Sequence, residues 1–160
     1  MKVWDVTAGA ERMSLSGHIL PVLGVAFSPD GERLASSSGK MKDVDDSDIF
    51  RGALGEIKVW NLGTGKETLA IRAHNLGAHD VAFTPDGKRL ASAGRSLMTG
   101  EVKLWDSMTG QEVLTLQGGF AAFRVAFSRD GKRLAAATAA FPFGGQKTGQ
   151  VKLWNAICAE

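Results

Sequence analysis

Few side chains in this chain are equipped for chemistry. The histidines are His18, His74 and His79. Two of them share "HNLGAHD" at 74–80 with Asp80, and imidazole and carboxylate together suit zinc. His79 and Asp80 run straight into the apolar strand "VAF", however, so no metal site is expected. "DVDDSD" at 43–48 superficially resembles a calcium loop, but the D-x-[DN]-x-[DN]-G order and the distant glutamate are absent. It reads as a solvated acidic insertion, or else as a contact for a basic surface or a weak cation site. "GTGKET" at 63–68 lacks the G-x-x-x-x-G-K-[ST] spacing of a phosphate loop and lies in an ordinary turn. G-x-S-x-G, H-E-x-x-H and C-x-x-C are all missing. No convincing acid–base pair remains. The sequence therefore predicts no catalytic residue, no cofactor and no metal.

Composition narrows the class further. The 160 residues make one ordinary domain, and 44% of them are apolar, enough for a packed core. The net charge of +2 is too small to imply a nucleic-acid or anionic-membrane partner. No stretch approaches 18 apolar residues, and the N-terminus lacks a signal-peptide pattern. A single cysteine, Cys158, forbids an internal disulfide and points to a reducing compartment, hence the cytoplasm.

What could position any functional group is a repeat. "MKVWD" at 1–5 returns as "IKVWN" at 57–61, "VKLWD" at 102–106 and "VKLWN" at 151–155. The tryptophans at 4, 60, 105 and 154 are thus spaced by 56, 45 and 49 residues. A second block alternates with the first: "VAFSPDGERLAS" at 25–36, "VAFTPDGKRLAS" at 81–92 and "VAFSRDGKRLAA" at 125–136. One supersecondary unit has been copied. "VAF" reads as a short buried strand, a. "SPDG" supplies a tight turn through proline, aspartate and glycine. "RLAS" is the return strand, b. "VKLW" alternates apolar with Lys and Trp as strand c, and "ETLAIR" and "EVLTLQ" alternate as a half-exposed strand d. No helical period is found.

A four-stranded unit ending in Trp-Asp, with "GH" at 17–18 and "VAFSPDG" at 25–31, resembles the WD40 repeat, the blade of a β-propeller. The phrasing is similar to bacterial WD40 proteins. The resemblance implies an all-β fold of four-stranded antiparallel blades, about three blades' worth, in an open segment or part of an assembled ring. The divisions expected are a partial blade over 1–16, blades over about 17–72 and 73–117, and a partial blade over about 118–160. Trp4, Trp60, Trp105 and Trp154 are expected to pack between sheets, with Asp5 and Asp106 completing the blade motif. The family also implies a chain of hydrogen bonds from histidine through serine to the tryptophan N–H, with an aspartate in the following turn. His18 and His74 fit the histidine; Ser36 or Ser38, and Ser92, fit the hydroxyl. Gly118 and Gly119 replace histidine in the third unit, and the aspartate is missing before Trp105 and Trp154. A network complete at most once is expected.

Length variation is confined to the b–c connections, 39–55, 94–100 and 139–149, which in a propeller emerge beside the d–a connections. Variable loops on a rigid scaffold usually carry function. Candidate partner contacts are Asp43, Asp45, Asp46, Asp48 and Arg51 in the first, Arg95 and Met98 in the second, and Phe141, Phe143 and Lys147 in the third. Phe141 and Phe143 either tuck under their loop or anchor a partner. The resemblance implies a non-catalytic scaffold for unnamed protein partners; the alternative is a small-ligand or enzymatic site at the channel mouth. The strand order, c-d, a-b-c-d, a-b-c-d, a-b-c, implies either the remainder of a longer propeller or a homo-oligomer that completes a ring.

Overall fold

The computed structural model describes residues 1–40, 55–96, 99–140 and 148–155. Among them run thirteen strands and no helix. β1 (Lys2–Asp5) and β2 (Ala10–Ser14) form the first sheet. β3 (Val22–Phe27), β4 (Arg33–Ser38), β5 (Gly55–Asn61) and β6 (Glu67–His74) form the second. β7 (Ala78–Phe83), β8 (Arg89–Arg95), β9 (Gly100–Asp106) and β10 (Glu112–Gly119) form the third. β11 (Ala121–Phe127), β12 (Arg133–Ala140) and β13 (Thr148–Asn155) form the fourth. Each sheet is antiparallel with its strands in chain order. The row of sheets is open. β7 packs on both β3 and β11, so the a strands line one side of the row.

The turns owe their shape to short polar side chains. In all three a–b turns a hydroxyl, from Ser28, Thr84 or Ser128, bonds Asp30, Asp86 or Asp130. The same aspartate oxygen accepts the backbone N–H two residues on. Gly31, Gly87 and Gly131 follow at φ near +70° (+73°, +69° and +71°), which a Cβ would disfavour. At the c–d turns Asp5 accepts the N–H groups of Thr7 and Ala8, and Asp106 those of Met108 and Thr109. These backbone bonds hold both carboxyls below their ordinary range. Asn61 does the same work for Thr64.

Period-two alternation then decides the packing. On β5, Glu56, Lys58 and Trp60 share one face, and Ile57 and Val59 the other. Trp60 packs toward Met1, Val3, Met13 and Leu15 of the first sheet. Ile57 and Val59 pack toward Val81, Leu90 and Trp105 of the third. Val102 in turn meets the fourth sheet, around Val125, Leu134 and Trp154. Trp60, Trp105 and Trp154 therefore each lie on the aliphatic face of the preceding sheet. Arg33 fastens the second sheet to the third at the turn end. It donates to the Gly87 carbonyl at 2.9 Å and to Ser107 Oγ at 3.2 Å, with its guanidinium 5.1 Å from the Phe83 ring.

The same rule corrects one expectation. Trp60 and Trp105 are buried, 2% and 4% exposed, but Trp4 is 54% exposed and Trp154 half-buried. No sheet among the described residues lies on the outer side of β1, so no neighbouring sheet covers Trp4 there. The opposite end shows the complementary effect. Val151 and Leu153 are 78% and 58% exposed, whereas their register counterparts Ile57 and Val59 are fully buried.

Candidate functional site

Two buried polar chains stand where the sequence pointed. His18 enters from the connection between β2 and β3, and its Nε2 lies 2.7 Å from Ser36 Oγ on β4. The Trp60 indole N–H donates to the same oxygen at 2.9 Å. His74, at the end of β6, repeats the arrangement with Ser92 at 2.8 Å, and Trp105 donates to Ser92 at 2.9 Å. Ser36 and Ser92, not Ser38, supply the hydroxyls. Ser38 Oγ instead reaches the Glu56 carbonyl at 3.5 Å.

The carboxylate is a correction. A network complete at most once was expected, because the aspartate is missing before Trp105 and Trp154, and hydrogen bonds run through to a carboxylate once, at His18. The structure supplies glutamates from strand c. Glu56 Oε2 lies 3.0 Å from His18 Nδ1, and Glu101 Oε2 lies 3.6 Å from His74 Nδ1, the latter an electrostatic contact. The physical reason is parity: a residue four before the tryptophan on the same strand shares its face. The signal was present as E-x-K-x-W at 56–60 and 101–105. The third copy reads Q-x-K-x-W, and Ala136 occupies the serine's place in the register opposite Lys152. Gly119 likewise opposes Gly100 where His74 opposes Gly55. All three polar partners are thus replaced together around Trp154.

Serine, histidine and carboxylate in line are the components of a nucleophilic triad. Here they cannot act as one. Ser36 and Ser92 are fully buried, and each hydroxyl oxygen already accepts a tryptophan N–H. With Glu56 facing Nδ1, that nitrogen carries the proton, so Nε2 accepts from Ser36. The bond directions run Trp60 to Ser36 to His18 to Glu56. Burial lowers the pKa of both histidines, with the glutamates opposing it. The facing His74 imidazole in turn holds Glu101 below its ordinary range.

A folded-state pKa below the ordinary 6.5 means that the unfolded chain binds more protons below that pH. The stability contributed is complete above 6.5 and is lost as pH falls through it. Unfolding free energy should therefore fall between pH 7 and pH 5, by no more than about 1.4 kcal/mol per pH unit for each histidine, and melting temperature with it. The double variant His18→Gln, His74→Gln should start lower at pH 7 and show a flatter profile. Parallel profiles for the two proteins would contradict this.

At the end of the sheets where b–c and d–a connections meet, Gly39 bridges to Gly77. Arg95 lays its guanidinium 4.3 Å from the Phe120 ring. His79 stacks on Phe123 at 5.5 Å and bonds the Ala122 carbonyl through Nδ1 at 2.9 Å. Asp80 accepts the Val125 N–H at 3.0 Å and faces Arg124 at 3.4 Å. His74, His79 and Asp80 thus have separate partners, and among the described residues no group of three potential ligands could hold a metal. Asp43, Asp45, Asp46, Asp48, Arg51, Met98, Phe141, Phe143 and Lys147 lie outside the described residues, as does Cys158.

Comparison with known proteins agrees with this architecture. Over 98% of its length the chain superposes on 45% of a chain of Kuenenia stuttgartiensis hydrazine synthase, with a TM-score of 0.76. At 20% identity, that likeness concerns the fold alone. Periodic tryptophan protein 2 of Arabidopsis thaliana is 36% identical over 91 residues, 57% of this chain and 9% of the relative. WD repeat and SOCS box-containing protein 1 of Mus musculus is 32% identical over 97 residues, 60% of this chain and 20% of the relative. The chain therefore spans a fifth or less of these relatives. The family model described as WD domain, G-beta repeat matches residues 9–49 and 65–106, just over half of the chain. With the repeated sheets and the two Trp–Ser–His chains between them, that match establishes that the chain belongs to the WD40 family.

Proposed function

We propose that the chain is a non-catalytic protein-interaction module that engages its partners at the end carrying the b–c and d–a connections. WD40 repeats generally mediate protein–protein interaction. The observation that carries the reading is the full burial of Ser36 and Ser92, each already bonded to a tryptophan N–H and a histidine. The groups best suited to chemistry are spent on holding sheets together. Supporting the choice of end, Gly39 meets Gly77, and Arg95 accepts at its carbonyl from Leu76 while its guanidinium covers Phe120. Neighbouring sheets thus present their connections as one surface. The opposite end repeats the same short aspartate-closed turns with little variation.

Hydrogen exchange on a complex with a captured partner tests this. Protection should appear at 74–79, 94–100 and 119–122. Protection confined to the turns at 28–33, 84–89 and 128–133 would overturn the assignment.

A further inference from the structure

At the turn end of the molecule, between the second and third sheets, one cation is only half satisfied. Arg33 Nη2 donates to the Gly87 carbonyl at 2.9 Å. Its Nη1 carries two N–H groups and has poorer partners. Ser107 Oγ lies at 3.2 Å and the Ser107 carbonyl at 3.4 Å. Charge-assisted bonds to oxygen settle at roughly 2.7–2.9 Å. The third neighbour is Met108 Sδ at 3.3 Å, and a thioether sulfur is a weak acceptor. Nη1 therefore holds donor capacity that no strong acceptor takes up.

Met108 is 73% exposed, so packing does not account for it. The repeat does not account for it either. The residue two after Asp5, Asn61 and Asp106 is Thr7, Gly63 and Met108 in turn. An exposed thioether is open to two-electron oxidants, and oxidation makes it a polar sulfoxide. Met1 and Met13, by contrast, pack against Leu15, Leu34 and Trp60.

From these contacts we infer that Met108 is an oxidation site for hydrogen peroxide, and that its sulfoxide fastens the second sheet to the third through Arg33. The sulfur lone pair attacks one peroxide oxygen, the O–O bond breaks and an S–O bond forms. The transferred oxygen gives its proton to the departing hydroxide, which leaves as water. Sulfur is oxidised by two electrons and the peroxide is reduced. The sulfoxide oxygen then accepts from Arg33 Nη1, a cationic donor already facing the sulfur. Methionine oxidation ordinarily weakens a protein by placing a polar group in a core. Met108 lies in no core, so here the sign reverses. The site is at the opposite end from the partner surface proposed above, and either assignment can fail without the other.

The test treats the 160-residue chain with dilute hydrogen peroxide. Peptide mass mapping should show Met108 gaining oxygen at least about fivefold faster than Met13, because reactivity follows exposure. Peroxide should also shift the melting temperature of the parent chain about 2 °C upward relative to its effect on Met108→Leu. That comparison cancels oxidation at every other methionine. Met108→Gln supplies a carbonyl oxygen of similar reach, and should melt above Met108→Leu with no oxidant present. Arg33→Lys should abolish both gains. Oxidation of Met108 no faster than that of Met13 would overturn the proposal. So would a peroxide effect equal in the parent and Met108→Leu, or gains that survive Arg33→Lys. Should Arg33→Lys fail to fold, equal melting of Met108→Gln and Met108→Leu refutes the strap on its own.

Discussion

Trp105→Ala is expected to cost about 3–5 kcal/mol of stability, because a large buried aromatic is removed and its space cannot collapse. Trp105 packs between the second and third sheets with Val59, Ile71, Val81 and Leu90. Its N–H is also the donor that completes the Ser92 and His74 chain. The substitution opens a cavity and leaves a buried serine one donor short, and the two effects add. Trp4→Ala is the internal control. It changes the same letter of the same motif, yet Trp4 is largely exposed, so the cost should stay below about 1 kcal/mol. Trp105→Phe should fall between, keeping most of the packing and losing the hydrogen bond. Denaturant unfolding of the three variants measures the series. Equal midpoints for Trp105→Ala and Trp4→Ala would contradict the sheet-by-sheet packing described here.

Gly100→Ala should be damaging for a different reason. A Cβ there would stand 2.5 Å from the Cα and the carbonyl carbon of Ala121, closer than side-chain carbons approach backbone. Neither atom is the tip of a flexible side chain, so the third and fourth sheets must part. Overpacking of this kind costs about 1–3 kcal/mol, and more where backbone blocks the way. Gly149 occupies the same place in its copy, one residue before Q-V-K-L-W, and a Cβ there meets nothing within 4 Å among the described residues. Gly149→Ala should leave the melting temperature unchanged or slightly higher, since alanine restricts the unfolded chain. A Gly100→Ala protein that melts with the parent would show that the sheets are not held this closely.

Much of this architecture was legible in the letters. "SPDG" and "TPDG" specify their turns locally, because the hydroxyl, the aspartate and the glycine act within six residues of one another. The alternation of "VKLW" specifies which residues share a face. Glu56 and Glu101 were legible too, four residues before each tryptophan, but only to a reading that followed face parity rather than the family's aspartate. The pairs Lys58–Glu67 and Lys103–Glu112 between strands c and d were harder to see, because the register shift that aligns them is a property of the paired strands. The b–c connections offered length and charge, but their candidate contacts lie for the most part outside the described residues.

The sequence by itself determined the strands, the turns and the two faces of every sheet, since these follow from side-chain types at short separations. What it could not determine is which copies of a face become core. Trp4 and Trp105 sit in nearly identical words, as do Val151 and Val102, yet one of each pair is exposed and the other buried. Burial is a property of two surfaces: apolar area contributes stability only where a second sheet removes it from water. The neighbour decides, and the neighbour exists only in the tertiary structure.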